Sequence, residues 1–166
     1  QAILECPVMP GATWFRGATL NFAENLLRTR GPGAAIVSVD ESGAPPRVLS
    51  FDALRVQVAR FQAFLVAHGV GVGDRVAAWM PNREETVIAM LAAAGLGATF
   101  SSSSPDFGVQ GVFDRFGQIQ PKVLITSDGS RYAGKSHSMM DKVREVASRL
   151  GEALAAHGRR VEAGEG

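Results

Sequence analysis

The sequence predicts an α/β fold, a mostly parallel sheet with helical crossovers plus an N-terminal hairpin, and three observations carry that expectation. Short apolar runs at residues 75–80, 98–101 and 122–126 alternate with amphipathic stretches, turn residues bound each segment, and residues 34–50 hold two strand-like runs around a polar turn. Strands that alternate with helices need crossover connections, and crossovers bring the strands parallel.

Residues 75–80 contain Val76, Ala78, Trp79 and Met80, and Pro81 ends the strand because it has no N–H for a ladder. Asn82 stands three residues before Glu85, the spacing of reciprocal capping bonds, so a helix is expected to begin there. Val87, Met90, Leu91 and Ala94 then share one face over residues 86–96, and Gly95 and Gly97 permit a left-handed exit. After the strand at 98–101, Ser104 and Pro105 offer a cap and a first helical position, with Val109, Val112, Phe113 and Phe116 at helical spacing. Pro121 ends that helix and residues 122–126 form the third strand.

Upstream, glycines and prolines break residues 1–19 into an irregular arm carrying the exposed pair Trp14 and Phe15. Asn21 and Glu24 have the capping spacing for a short helix with Phe22, Leu26 and Leu27 on its apolar side. Residues 34–39 and 47–50 read as a hairpin around Asp40, Glu41, Ser42 and Gly43. Ser50 is the cap of the next helix, Asp52 lies in its first turn, and Phe51, Leu54, Val58, Phe61 and Leu65 step by three and four up to His68 and Gly69. Residues 127–136 are expected as a loop, followed by a last helix with the stripe Met139, Met140, Val143, Val146, Ala147 and Leu150. The organisation expected is an N-terminal arm and short helix at 1–33, an α/β subdomain at 34–157 and a flexible tail at 158–166.

The chain has 166 residues, is 46% hydrophobic and 20% charged, and carries a net charge of +1, which suits a globular core and gives no basic excess for nucleic acid. Its single cysteine, Cys6, excludes an intrachain disulfide and a multi-cysteine zinc site and suits a reducing, cytoplasmic location. The longest uncharged run, 86–100, is shorter than the roughly 18 apolar residues of a membrane span. The chain begins at Gln1 rather than Met and reads as a fragment of a longer protein.

Several groups that look chemical read more simply as structure. Residues 101–104, all serine, form a polar strand-to-helix turn with no histidine placed to activate a nucleophile. Asp114 and Arg115 read as an ion pair or surface charges, and His68, His137 and His157 share no metal-ligand spacing. No catalytic residue and no metal site is assigned. Residues 129–136 satisfy the spacing of a phosphate-binding loop, with Gly129, Gly134, Lys135 and Ser136 in its fixed positions, between a strand and a helix. Such a loop needs a second strand ending in an aspartate for magnesium, but 75–80 ends in Pro81 and Asn82, 98–101 ends in serines, and Asp128 precedes the loop. A P-loop-like nucleotide-binding protein is therefore one alternative, and a non-catalytic α/β binding module is another.

A third reading comes from phrases spread from Trp14 to Leu150. They are Trp14-Phe15-Arg16-Gly17, residues 20–27 (LNFAENLL), Gly73-Asp74-Arg75-Val76-Ala77, Ser104-Pro105-Asp106-Phe107-Gly108, Asp114-Arg115-Phe116, and Asp128-Gly129 followed by Arg131-Tyr132 and Gly134-Lys135. In this order and spacing the chain resembles the acetoacetyl-CoA synthetases, within the adenylate-forming acyl-CoA synthetases. The resemblance implies part of the N-terminal domain of a ligase that activates a small carboxylate, acetoacetate, with ATP and Mg2+ and passes the acyl group to CoA. It also implies that the triphosphate loop, the nucleotide pocket, the magnesium-binding acid and the catalytic lysine belong to a missing remainder. What it implies for this chain is CoA binding, with Ser104, Pro105 and Asp106 along the pantetheine arm and Arg131, Tyr132 and Lys135 near the CoA nucleotide. Tyr132 departs from the family pattern, where arginine is frequent, and implies stacking instead of ion pairing.

Overall fold

The computed structural model describes residues 3–156. The expected tail at 158–166, and His157, lie outside the described residues. The N-terminal arm is not wholly irregular: β1 (Leu4–Cys6) and β2 (Thr13–Trp14) pair antiparallel, leaving Trp14 and Phe15 exposed as expected. Helix α1 (Phe22–Leu26) is capped by Asn21, whose Oδ1 accepts from Glu24 N–H at 3.1 Å, while Asn21 Nδ2 donates to Ala94 O at 3.1 Å. One side chain thus starts a helix and ties it to a distant one. The hairpin forms as read, with β3 (Ala34–Ser38) antiparallel to β4 (Arg47–Ser50).

Helix α2 (Phe51–Ala67) is capped by Ser50 and buries Leu54, Val58 and Leu65. The central sheet has the order β6-β5-β7, from β5 (Arg75–Trp79), β6 (Thr99–Ser103) and β7 (Val123–Thr126), all parallel. Alternate residues of β5 serve opposite faces: Val76 joins the core under α2 and α3 (Glu84–Gly95), whereas Ala77 and Trp79 join the core under α4 (Val109–Ile119) and α5 (Met140–Ala156).

Four local expectations are corrected. Helix α3 starts one residue later than the Asn82 cap implied, with Arg83 at the cap position and no side-chain capping bond. Its buried residues, Ile88, Ala89, Leu91, Ala92 and Ala93, run round more of the helix than a single amphipathic stripe, because it is packed between α2 and the sheet. Helix α4 is capped by Gly108, not Ser104; Phe107 N–H donates to Ser104 O at 3.2 Å, so residues 104–107 form a turn before the helix. In the last stripe Met139, Val146 and Leu150 are buried, with Val143 packed beside them, but Met140 and Ala147 are exposed, because they flank the line of three- and four-residue steps that faces the core.

A further correction bears on function. The expected loop at 127–136 is a second antiparallel hairpin, β8 (Gly129–Tyr132) with β9 (Lys135–Ser138), turning through Ala133 and Gly134 at φ 50° and 73°. Two consecutive left-handed residues are the geometry of a tight hairpin turn matched to strand twist.

At the opposite, amino-terminal end of the sheet, Lys122 Nζ donates to Asp74 Oδ2 at 2.9 Å and to Gly69 O at 2.5 Å, and Asp74 also accepts from Gly71 N–H at 2.9 Å. Arg75 donates to Ile119 O at 2.8 Å and Gln120 O at 3.0 Å. The Gly73-Asp74-Arg75 phrase is therefore a clamp joining the α2–β5 and α4–β7 connections. It stands far from the carboxyl edge where parallel sheets bind ligands.

Candidate functional site

The three parallel strands end level with one another, since Trp79 pairs with both Ser103 and Thr126. Three segments leave this carboxyl edge: residues 80–84 after β5, the turn 104–107 after β6, and the β8–β9 hairpin after β7. A cleft of about 1140 Å3 opens there between the two hairpins and the start of α3, with Arg47, Arg83, Glu84, Asp128, Arg131 and His137 among its lining residues.

Glu84 is the electrostatic centre of that cleft. Its carboxylate accepts from Ser38 Oγ at 2.7 Å and from Arg47 Nη2 at 2.9 and 3.0 Å. Burial pushes this carboxyl up, but the Ser38 hydroxyl, its own backbone N–H, Arg47 and Arg83 outweigh burial and hold it below its ordinary value. Ser38 and Arg47 are cross-strand partners, so Glu84 grips one end of the β3–β4 hairpin. The turn of that hairpin meets the second one, where Gly134 N–H donates to Glu41 Oε1 at 3.2 Å. Asp40 is held below its ordinary range by the Ser42 hydroxyl and backbone N–H, with Arg131 and Arg47 adding attraction.

Of the six residues implied for CoA, Arg131 alone lines the cleft. Ser104 and Pro105 are half-buried in the turn; Asp106, Arg131, Tyr132 and Lys135 are exposed. Within the turn Ser104 Oγ donates to Asp106 Oδ2 at 3.0 Å, and Asp106 N–H donates back to Ser104 Oγ at 3.4 Å. Tyr132 and Lys135 are partners in the last rung of the β8–β9 ladder. Turn and hairpin share one edge of the sheet, on either side of β5, and among the described residues no hydrogen bond or ion pair joins them.

The hairpin removes the phosphate-loop reading of residues 129–136. A phosphate loop turns successive backbone N–H groups inward around an anion, whereas β8 and β9 face each other in a two-stranded ladder closed by a two-residue turn. For the same reason backbone N–H groups do not gather around Lys135, and any anion there would be met by side chains. Asp114 and Arg115 are not an ion pair: Asp114 accepts from Gln110 Nε2 at 2.6 Å, and the Arg115 guanidinium lies 4.0 Å from the Phe107 ring centroid. Among the described residues no group of three or more His, Cys, Asp or Glu side chains is placed to hold a metal ion. Glu84 escaped the sequence reading. Glu84 lies 46 residues from Ser38 and 37 from Arg47, so no local pattern could pair them.

A parallel sheet whose carboxyl edge carries a ligand-sized cleft, here between two hairpins and the start of a helix, is the usual frame of a ligand-binding α/β protein. The family model described as AMP-binding enzyme matches residues 26–163, and the chain belongs to that family. It is 52% identical over 151 residues to the acetoacetyl-coenzyme A synthetase of Rhizobium meliloti (strain 1021), covering 91% of this chain and 23% of that protein. The acetoacetyl-CoA synthetase of Macaca fascicularis is 48% identical over 138 residues, 82% of this chain and 20% of that protein. The solved acetoacetyl-CoA synthetase from Streptomyces lividans superposes with a TM-score of 0.82 at 46% identity, over 89% of this chain and 23% of that one. The chain thus spans under a quarter of the length of these relatives.

Proposed function

We propose that this chain is the N-terminal portion of an acid–thiol ligase that joins acetoacetate, a short 3-oxo acid, to CoA. The carboxylate attacks the α-phosphate of ATP and releases pyrophosphate; the CoA thiol then displaces AMP from the acyl-adenylate. The observation that carries this reading is the 52% identity to an acetoacetyl-coenzyme A synthetase over nearly the whole chain. Mg2+ is assigned to the whole ligase and not to this portion. The location we infer is cytoplasmic, as suits a chain with a single cysteine.

The part assigned to this portion is CoA binding. Ser104, Pro105 and Asp106 flank the pantetheine arm, Arg131 and Lys135 meet phosphate through their side chains, and Tyr132, 69% exposed, offers a ring face for stacking. Support comes from the shared carboxyl edge of turn and hairpin, together with the resemblance of both phrases to acyl-CoA synthetases.

The test uses a chimera in which this chain replaces the matching segment of the Rhizobium meliloti relative. Lys135→Ala should raise the Michaelis constant for CoA about tenfold and leave ATP–pyrophosphate exchange within twofold of the parent. Abolished pyrophosphate exchange with an unchanged CoA constant would overturn the assignment. By itself the 166-residue chain is expected to form no acyl-CoA from acid, ATP and CoA. If it instead serves as a non-catalytic binding module, the intact mass of the native product will equal that of this chain.

A further inference from the structure

We propose that Trp79 is a positioning residue for CoA transfer, its buried indole N–H setting the turn that carries Ser104, Pro105 and Asp106; this rests on the CoA reading above. Trp79 ends the middle strand of the sheet and has no exposed surface. Its Nε1 donates to Ser104 O at 3.0 Å, one residue beyond its ladder partner Ser103. The same carbonyl accepts from Phe107 N–H at 3.2 Å, so the two lone pairs of one oxygen receive the indole and the bond that closes the turn.

Two further facts single out the indole. Ser103 is buried at the base of the turn, yet its hydroxyl has no hydrogen-bond partner, so the neighbouring serine does not supply the anchor. The remaining side-chain bonds of the turn, between Ser104 and Asp106, lie at the surface, where water competes for them. Trp79 also belongs to the buried cluster that contains Met139, the residue after β9, whose N–H donates to Asp128 O at 2.8 Å across the base of the second hairpin. One indole therefore bonds the turn on one side of the proposed site and shares a packed core with the base of the hairpin on the other. Close-packed protein interiors transmit small displacements instead of absorbing them.

Trp79→Phe keeps most of the ring volume and removes the donor. In the chimera described above, it should raise the Michaelis constant for CoA about fivefold while pyrophosphate exchange stays within twofold, a split that simple loss of folded protein would not produce. If Lys135→Ala raises the CoA constant and a folded Trp79→Phe leaves it unchanged, the positioning role is wrong and the CoA reading stands. If neither substitution moves it, both fall. A second measurement needs no variant: in the unsubstituted chain, hydrogen exchange of the Trp79 indole N–H and the Phe107 amide should be slowed together. An indole that exchanges freely while the Phe107 amide stays protected overturns the proposal even if Trp79→Phe does not fold.

Discussion

Glu84→Gln is the substitution whose effect the structure specifies most fully. The glutamine keeps the shape and one acceptor, and removes the charge that faces Ser38 and Arg47 at the first turn of α3. A hydrogen bond to a charged group contributes about 1.5–3 kcal/mol, and part of that survives with a neutral amide acceptor. The Arg47 partner is 55% exposed against 16% for Glu84, so solvent screening limits the ion pair to well under about 1 kcal/mol. Loss of a favourable charge at a helix N-terminus adds roughly 0.3–1 kcal/mol. The sum is about 1–2 kcal/mol, or a fall in Tm of roughly 3–6 °C for a domain of this size. Because the folded carboxyl is held below its ordinary 4.5, its contribution is present above that value and is lost as pH falls through the folded pKa. The two proteins should differ in thermal melting at pH 7 and converge as acid protonates the Glu84 carboxyl, and hydrogen exchange should show faster opening of β3 and β4 in the variant. Equal melting at pH 7, or a gap that persists unchanged in acid, would refute the latch between Glu84 and the hairpin.

Two further outcomes follow from the geometry. Lys122→Met removes both bonds of the clamp at the amino-terminal edge; its partner Asp74 is 25% exposed and Lys122 44%, so a loss of about 1 kcal/mol and 2–4 °C in Tm is expected. The Lys122 hydrogen bond and the Gly71 N–H hold Asp74 below its ordinary 3.8, so this difference should shrink toward the part that comes from the Gly69 carbonyl as acid protonates the carboxyl, and a difference that grows in acid would count against the clamp. Gly129→Ala would put a Cβ 2.7 Å from His137 O on the paired strand, so the first rung of the β8–β9 hairpin must shift. Amide protection in that hairpin should fall while Tm changes little, which hydrogen exchange by mass spectrometry would check.

Much of the architecture was decided by local chemistry and was therefore legible in the sequence. Periods of two and 3.6, the side-chain caps at Asn21 and Ser50, and Pro81 and Pro121 as stops all act within a few residues, and they place α1, α2 and the three parallel strands. The phosphate-loop spacing at 129–136 shows where such reading stops. The residues of β8 and β9 carry no apolar alternation, and the positive φ of Ala133 goes against the usual preference of alanine, so the turn became visible only once the two strands paired. Start points of α3 and α4 moved for a related reason: Asn82 and Ser104 fit the capping pattern, but one borders the cleft and the other is drawn into a turn bonded to Trp79. The roles of Glu84 and Trp79 belong wholly to tertiary structure. Each depends on a partner 25 to 46 residues away, and only folding closes those loops and sets the donor beside its acceptor.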